Sequence, residues 1–373
     1  MNFKISKRIF LNALQLVARA VSSNSPIPSL SGIKLDIEND RIILTGSDSD
    51  ISIKKELIND EDLKLDVIQT GSMVIDSRYL LEIVKRIDSD IVNFELIDGL
   101  LIRISGNEAE YQINGMRSSD YPVIDFKKPV NEFNIDAYAL LKIINQTSYA
   151  TSEKESRPVL CGVNFKCENN VVECVATDSY RLARKYFNIE NELKFNVTIP
   201  KKSLNEIAHS IEKDSVINVA IDDKKAQFLI DNTIIQTRLI DGIYPETSRL
   251  IPTVFKNELV CDSRDILNAI DRASLMRSEG VYFVRLTASK NDIMISSKSQ
   301  DVGSYSGNLN VESWSGDDLD ITFSGKYVQD AIRTLESSNV CIRFAGDMKP
   351  FIITSLDDKS VLQLVLPVRT YNE

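Results

Sequence analysis

Histidine and positive charge are scarce in this chain, and each scarcity removes a class of function. The one histidine, His209, stands on an amphipathic stretch beside Ala208 and Ile211, without a serine or cysteine nucleophile pattern, so it reads as a helix-surface residue rather than a catalytic base. The five cysteines (Cys161, Cys167, Cys174, Cys261 and Cys341) include no CxxC pair, and no His/Cys cluster has zinc spacing. They read as reduced core thiols. No Walker A motif and no GxGxxG is present, which leaves no phosphate cradle. Asp48-Ser49-Asp50 starts like a calcium loop but lacks its glycine and closing glutamate, so turn chemistry is the better reading. No apolar run approaches the roughly 20 residues of a membrane-spanning helix. Met1-Asn2-Phe3-Lys4 has no signal-peptide h-region, so a cytoplasmic protein is expected. With 44 Lys+Arg against 54 Asp+Glu, the net charge of −10 argues against a broadly basic nucleic-acid binder. No catalytic residue, metal or cofactor is expected; this is the profile of a binding protein.

What is present is repetition. The 373 residues suggest two or three domains. Three segments share a strand, a polar cap and an amphipathic helix. They are Phe3-Lys4-Ile5-Ser6 into 7–20, Phe133-Asn134-Ile135-Asp136 into 137–149, and Leu259-Val260-Cys261-Asp262 into 263–276. Ser or Asp occupies each N-cap position. Helical spacing then puts Phe10, Ala13, Leu14 and Val17, Leu140, Leu141 and Ile144, and Ile266, Leu267 and Ile270 on buried faces. Strand pairs follow at 32–36 with 41–44, 162–166 with 171–175, and 281–286 with 292–295. The turns Glu38-Asn39-Asp40, Glu168-Asn169-Asn170 and Ser289-Lys290-Asn291 join them. A second helix and further strands close each unit. The first two units end in Ser119-Asp120-Tyr121-Pro122 and Gly242-Ile243-Tyr244-Pro245. The expected fold is α+β, with three domains at residues 1–125, 126–250 and 251–373, each holding two βαβββ elements. Adjacent domains of one repeated element can continue each other's sheets, and a closed ring would remove the free edges.

One turn stands apart. Val171-Val172-Glu173-Cys174-Val175-Ala176 reads as a buried strand, Arg184-Lys185-Tyr186-Phe187 as the returning one. Between them, Thr177-Asp178-Ser179 is turn chemistry, and Tyr180, Arg181 and Leu182 begin the return strand. Leu182 is either core or an exposed anchor; pattern alone does not separate the two.

The positive charge is unevenly placed. Helices expected at 6–20, 76–88, 134–149, 200–213, 262–277 and 324–336 hold fifteen Lys+Arg against eleven Asp+Glu, while the rest of the chain is strongly acidic. The first is the most lopsided, with Lys7, Arg8 and Arg19 and no acid. If equivalent helices share one face of a ring, that face suits a polyanion held by scattered phosphate contacts, without base readout.

At this point the motifs resemble those of a known family. Arg157-Pro158-Val159-Leu160-Cys161-Gly162-Val163-Asn164 is one, and Ala176-Thr177-Asp178-Ser179-Tyr180-Arg181-Leu182-Ala183 is another. Asp241-Gly242-Ile243-Tyr244-Pro245 with Ser248-Arg249-Leu250-Ile251-Pro252, and Leu364-Val365-Leu366-Pro367-Val368-Arg369, complete the set. In order and spacing the chain resembles the bacterial DNA polymerase III β subunit family, the DNA sliding clamps, over essentially its whole length.

The resemblance implies a head-to-tail homodimer in which three-domain protomers each form half of a closed ring around duplex DNA. It implies processivity for the replicative polymerase. Polymerase, clamp loader and repair proteins would dock through short linear motifs in a groove between the second and third domains, with no membrane involved. Carried over by position, the groove would comprise Leu160, Thr177, Ser179, Tyr180, Arg181, Leu182, Pro245, Arg249, Leu250, Val365, Leu366, Pro367, Val368 and Arg369. Leucines suit aliphatic or aromatic anchors, and Arg181 and Arg249 suit peptide carbonyls or acids. Lys7, Arg8, Arg19, Arg78, Lys201 and Lys202 are the DNA-facing candidates. Tyr111 and Ile113 would meet Leu275 and Met276 at the protomer contact. The chain departs from the family pattern where Tyr180 replaces an imidazole, where Ser22-Ser23-Asn24-Ser25 is neutral, and in the tail Thr370-Tyr371-Asn372-Glu373. Two rival readings are an enzyme with an unusual site and a repeat scaffold that binds proteins but not DNA.

Overall fold

The computed structural model describes residues 1–211, 215–276, 282–290 and 292–369. Among them are six helices: α1 (Lys7–Ala18), α2 (Ser77–Arg86), α3 (Ala137–Thr147), α4 (Lys201–Ser210), α5 (Ser263–Ala273) and α6 (Gly325–Leu335). Each lies inside its expected span, shorter by a few residues at one or both ends. The expected third strand pair and its turn run partly through Val281 and Asn291, which lie outside the described residues, as does the tail from Thr370.

Contacts group the chain into two compact units. One is residues 1–140 with 202–239, the other 141–201 with 240 onward. The reason is sheet continuity. In the first unit, nine antiparallel strands run from Met116–Arg117 to Asn131–Asp136, and Ile51–Ile58 pairs with Thr233–Arg238 in the middle. In the second, seven strands run from Gly162–Thr177 to Ser313–Ser315, and Arg181–Pro200 pairs with Val361–Val365. Each sheet therefore passes from one third of the chain into the next, satisfying strand edges that would otherwise be bare. A five-stranded sheet in the first unit ends on Ala109–Asn114, and a four-stranded one in the second ends on Gly303–Asn308.

The helices form where apolar residues recur at helical spacing. α1 buries Phe10, Ala13, Leu14 and Val17, as its sequence predicts. Phe3, on strand Asn2–Ser6, stacks on Phe94 with centroids 4.9 Å apart, and Phe10 meets Phe94 edge-on at 5.4 Å. Burying each ring contributes about 1.5–3 kcal/mol. In α3 the buried stripe is Leu140, Ile143 and Ile144; Leu141, expected inside, is only half-buried because it sits one position off the stripe. In α5, Ile266 and Ile270 are buried and Leu267 packs against the same core from the side. Asp76, Asp136 and Asp262 cap their helices by accepting backbone N–H bonds. Ser6 makes no side-chain cap; the Asp90 carbonyl takes the Lys7 N–H instead, at 2.8 Å.

The motif at 157–164 has a steric explanation. The short helical turns Pro28–Ser31 and Pro158–Cys161 each lead into a glycine that opens a strand. A Cβ at Gly162 would lie 2.4 Å from the Ile199 carbonyl oxygen, and at Gly32 2.8 Å from that of Ile75. Only glycine allows the neighbouring backbone so close.

Candidate functional site

The turn at 177–181 is built by its own side chains. Asp178 Oδ1 accepts the backbone N–H groups of Tyr180 (2.9 Å) and Arg181 (3.0 Å). Thr177 Oγ1 accepts from Ser179 N at 3.1 Å and donates to the Arg181 carbonyl at 2.6 Å. Ser179 takes the left-handed conformation at φ 79°. Tyr180 is left 58% exposed, at the tip.

Arg181 turns inward. Its Nε donates to Asp178 Oδ2 at 3.0 Å and its Nη1 to Asp330 Oδ2 at 2.7 Å. The guanidinium lies over the rings of Tyr327 (4.5 Å) and Tyr149 (5.1 Å). Burial disfavours its charge, but Asp330 and Asp178 outweigh that and hold it above the ordinary arginine value. Burial likewise pushes the Tyr149 phenol far up, so it stays neutral and donates to Gln363 Oε1 at 2.8 Å. Arg181 is a fixed post under the turn rather than a free rim cation.

Beside it lies an apolar cluster. Val175, Leu182, Ile352 and Leu364 are buried, with Tyr244, Ile251, Phe255, Leu362 and Leu366 partly exposed against them. The choice left open for Leu182 is resolved: at 1% exposure it is floor, not a protruding anchor. Leu182 and Leu364 face each other across the ladder. Strand alternation then turns Val365 to the opposite side, into the larger core of the unit. Leu364, part of the quoted motif but not among the expected groove residues, takes the place on this face. The Leu366 N–H bonds the Tyr180 carbonyl at 2.9 Å, and Thr177 N–H bonds the Tyr244 hydroxyl at 3.0 Å. These bonds tie the turn, the C-terminal strand and the 244–251 segment together. Pro245, Arg249 and Leu250 are exposed on that segment, with Leu250 at 52%. Leu160 is buried on its short helical turn. Pro367 and Val368 are half-buried and Arg369 is exposed, with Val368 N–H held by the Thr322 carbonyl at 2.7 Å. Tyr244 and Ile251 stand in the quoted motifs but were not placed in the groove, and Ile352 and Phe255 carried no signal in the sequence.

The basic candidates differ in freedom. Lys7 Nζ donates to the Ile87 carbonyl at the end of α2, at 2.5 Å. Arg19 pairs with Glu206 at 3.1 Å, and Lys202 with Asp48 at 2.5 Å. Lys201 lies 3.7 Å from Glu153, and Arg78 stacks on Tyr79 at 4.8 Å. Arg8 is exposed on α1. Tyr111 and Ile113 are half-buried on edge strand Ala109–Asn114, whose alternate residues are exposed. Leu275 is 69% exposed just after α5, with Met276 half-buried beside it.

The Asp48 carboxylate is used by its own loop. Oδ1 accepts from Asp50 N and Ile51 N, at 3.0 and 2.9 Å. Burial raises this carboxyl, but those N–H donors and Lys202 more than reverse the effect and hold it low. His209 is exposed on α4, with Nδ1 2.7 Å from the Asn205 carbonyl oxygen. Among the described residues, no helix is long and apolar enough to cross a membrane.

Comparison with known proteins agrees with this geometry along the entire chain. The family models for the DNA polymerase III beta subunit match at residues 1–125 (N-terminal domain), 134–246 (central domain) and 248–369 (C-terminal domain). The beta sliding clamp of Bacillus subtilis is 37% identical over 378 residues, covering all of both chains. The crystal structure of the DNA polymerase sliding clamp from Bacillus subtilis superposes with a TM-score of 0.96 at 36% identity, again covering both chains fully. That of the DNA polymerase III beta chain from Streptococcus pneumoniae gives a TM-score of 0.95 at 31% identity, covering 99% of this chain and 100% of that one. Repeated βαβββ elements, sheets that run through successive thirds, and full-length similarity in sequence and structure converge on one assignment: the chain belongs to the DNA polymerase III beta subunit family, the bacterial sliding clamps.

Proposed function

We propose that two copies of this protein join head to tail into a ring around duplex DNA in the cytoplasm and hold the replicative polymerase on its template. The observation that carries the reading is sheet continuity: two strand ladders already cross from one third of the chain to the next. One more ladder of that kind between copies would close six like modules into a ring. The edge strand Ala109–Asn114, with Tyr111 and Ile113 on its half-buried face, is suited to that contact, with Leu275 and Met276 opposite. Three domains spanning about 1–125, 126–250 and 251–373 fit this scheme. The protein acts by topology, without a catalytic step: leaving DNA requires opening the ring, not merely breaking phosphate contacts. Arg8 and the other basic residues named above supply weak, screened contacts that permit sliding. Polymerase, loader and repair proteins dock by short linear motifs on the cluster around Leu182, Leu364 and Leu366, where apolar anchors find a preformed floor.

The test is retention on nicked circular DNA after incubation with a clamp loader and ATP. Retention that disappears on linearising the circle is the expected result. Equal retention on circular and linear DNA rejects encirclement, as does a species that light scattering finds monomeric at every concentration.

A further inference from the structure

Next to the apolar cluster, on the same sheet face, lies a cavity of about 450 Å³. Leu362 and Ile352 are shared by both. Arg184 is two residues beyond Leu182 on the same strand, so it shares its face about 6.6 Å further along. Arg184, Arg343 and Lys359 line the cavity, and no Asp or Glu does. Arg343 is engaged by Glu258 at 2.7 Å, and Tyr186 donates to Glu173 at 2.6 Å. Arg184 is different. Its guanidinium stacks on Tyr186 at 5.1 Å, its Nε is buried without a hydrogen-bond partner, and among the described residues it makes no ion pair. Lys359 is exposed and likewise makes no ion pair among the described residues.

The repeat says what such a place accepts. By the register of the two ladders, Arg238 N–H to Asp50 O (2.8 Å) matches Leu366 N–H to Tyr180 O (2.9 Å), which sets Lys54 equivalent to Arg184. Lys54 is not left open. It pairs with Glu56 at 2.9 Å, and the Phe126 ring sits 5.6 Å from its ammonium. The segment carrying that ring is pinned by Lys225 to Asp125 (3.3 Å) and by Gln227 to the Phe126 carbonyl (2.9 Å). So at the first ladder the chain supplies both parts itself: the covering ring comes from Phe126, and the acid comes from Glu56, whose place in the second ladder is taken by Tyr186, leaving Arg184 with neither.

We propose that the cavity beside Arg184 is a second docking site, which takes an acidic-aromatic segment flanking the anchor motif of a partner protein. The carboxylate meets Arg184 and Lys359, and the ring lies on Ile352 and Leu362. The proposal rests on the reading of the Leu182 cluster as the motif site, and it adds a rule for partner choice: among motifs with equal anchors, those with an Asp/Glu-aromatic flank bind tighter.

Fluorescence anisotropy with three synthetic peptides tests this. All share an anchor of two leucines and a phenylalanine; one is bare, one carries Glu-Phe at each end, and one carries Lys-Phe. The Glu-Phe peptide should bind about ten-fold tighter than the bare one, the weight of one charge-assisted contact. Arg184→Gln and Lys359→Gln, singly and together, should reduce that gain and leave the bare peptide unchanged. Lys359 is exposed, so its variant still reports if Arg184→Gln folds poorly. Equal gains for Glu-Phe and Lys-Phe, or a gain that survives the double variant, overturn the proposal. Failure of the bare peptide to bind rejects the cluster as motif site; the cavity then stands only if Arg184→Gln, and not Leu366→Ala, abolishes Glu-Phe binding. A changed oligomeric state of the double variant by light scattering assigns the cavity to a contact between copies and also overturns it.

Discussion

The turns at 47–51 and 177–181 have the same backbone and different surroundings. Ser47 and Thr177 each hold the N–H two residues on, at 3.1 Å in both cases. Asp48 and Asp178 each accept two N–H groups through Oδ1. Ser49 and Ser179 are both left-handed, at φ 84° and 79°. Each turn opens a strand that pairs with the next third of the chain. They part at the last two positions. Asp50 is exposed and Ile51 is buried in the core, whereas Tyr180 is exposed and Arg181 is held between two carboxylates and two tyrosine rings. The sheet face beyond the first turn is covered by the chain's own Phe126; beyond the second it stays open. On the proposed function, a duplicated scaffold becomes a docking site by changing the residues after the turn and withholding the cover.

Breaking the end position should have the largest effect. Arg181→Ala leaves Asp178 without its cation and Asp330 with only the exposed Lys326, and should cost about 3 kcal/mol. Ile51→Ala should cost a similar amount, from its cavity. Denaturant unfolding measures both, but only Arg181→Ala should also weaken anchor-peptide binding. Equal loss of binding in the two would mean that the turns do not differ in function.

Next comes the floor. Leu182→Ala should destabilise by about 2–4 kcal/mol because Leu182 is core. Leu366→Ala, at a partly exposed position, should lower peptide affinity several-fold with a smaller change in stability and no change in oligomeric state. Unchanged affinity by calorimetric titration in both rejects the cluster as a docking site.

A pH effect of intermediate size should distinguish the second ladder. Burial raises the Asp358 carboxyl, but bonds from Lys185, Ser360 and Lys142 outweigh it and hold the group well below the usual carboxylate range. Its stabilising contribution is therefore complete above about pH 4 and is lost as pH falls below that value. Asp358→Asn should lower stability at neutral pH and flatten the acid side of the stability curve. An unaltered acid profile would show that the network carries no linkage.

The smallest effects belong to the tips. Ser49→Gly and Ser179→Gly should each be neutral or stabilise by up to about 1 kcal/mol, since both serines pay for a left-handed φ. Tyr180→His should leave unfolding within about 0.5 kcal/mol of the parent while altering which anchors bind best. A large loss from either Gly variant would mean that the serine side chain, and not the Asp carboxylate, holds the turn.

Much of this was legible in the amino-acid order. The α1 stripe of Phe10, Ala13, Leu14 and Val17, the aspartate caps, the Asp48 and Asp178 turns and the apolar character of Leu182 all follow from interactions within a few residues. Strand alternation also hid information: a continuous run such as Leu364-Val365-Leu366 is apolar on both faces, so only the ladder shows which side each residue takes. The basic residues illustrate the other limit. Lys202 and Arg19 look free in sequence, yet their carboxylate partners come from residues 154 and 187 positions away.

By itself, then, the sequence determined the local grammar: a strand–helix–strand element written six times, its caps and its turns, because these depend on neighbours along the chain. Tertiary structure alone decided where one third ends and the next begins as a packed body, which arginine is a buried post and which an open contact, and which of two equivalent sheet faces is left uncovered. Those outcomes depend on backbone ladders and charge pairs closed between residues more than a hundred positions apart, and nothing in local spacing records them.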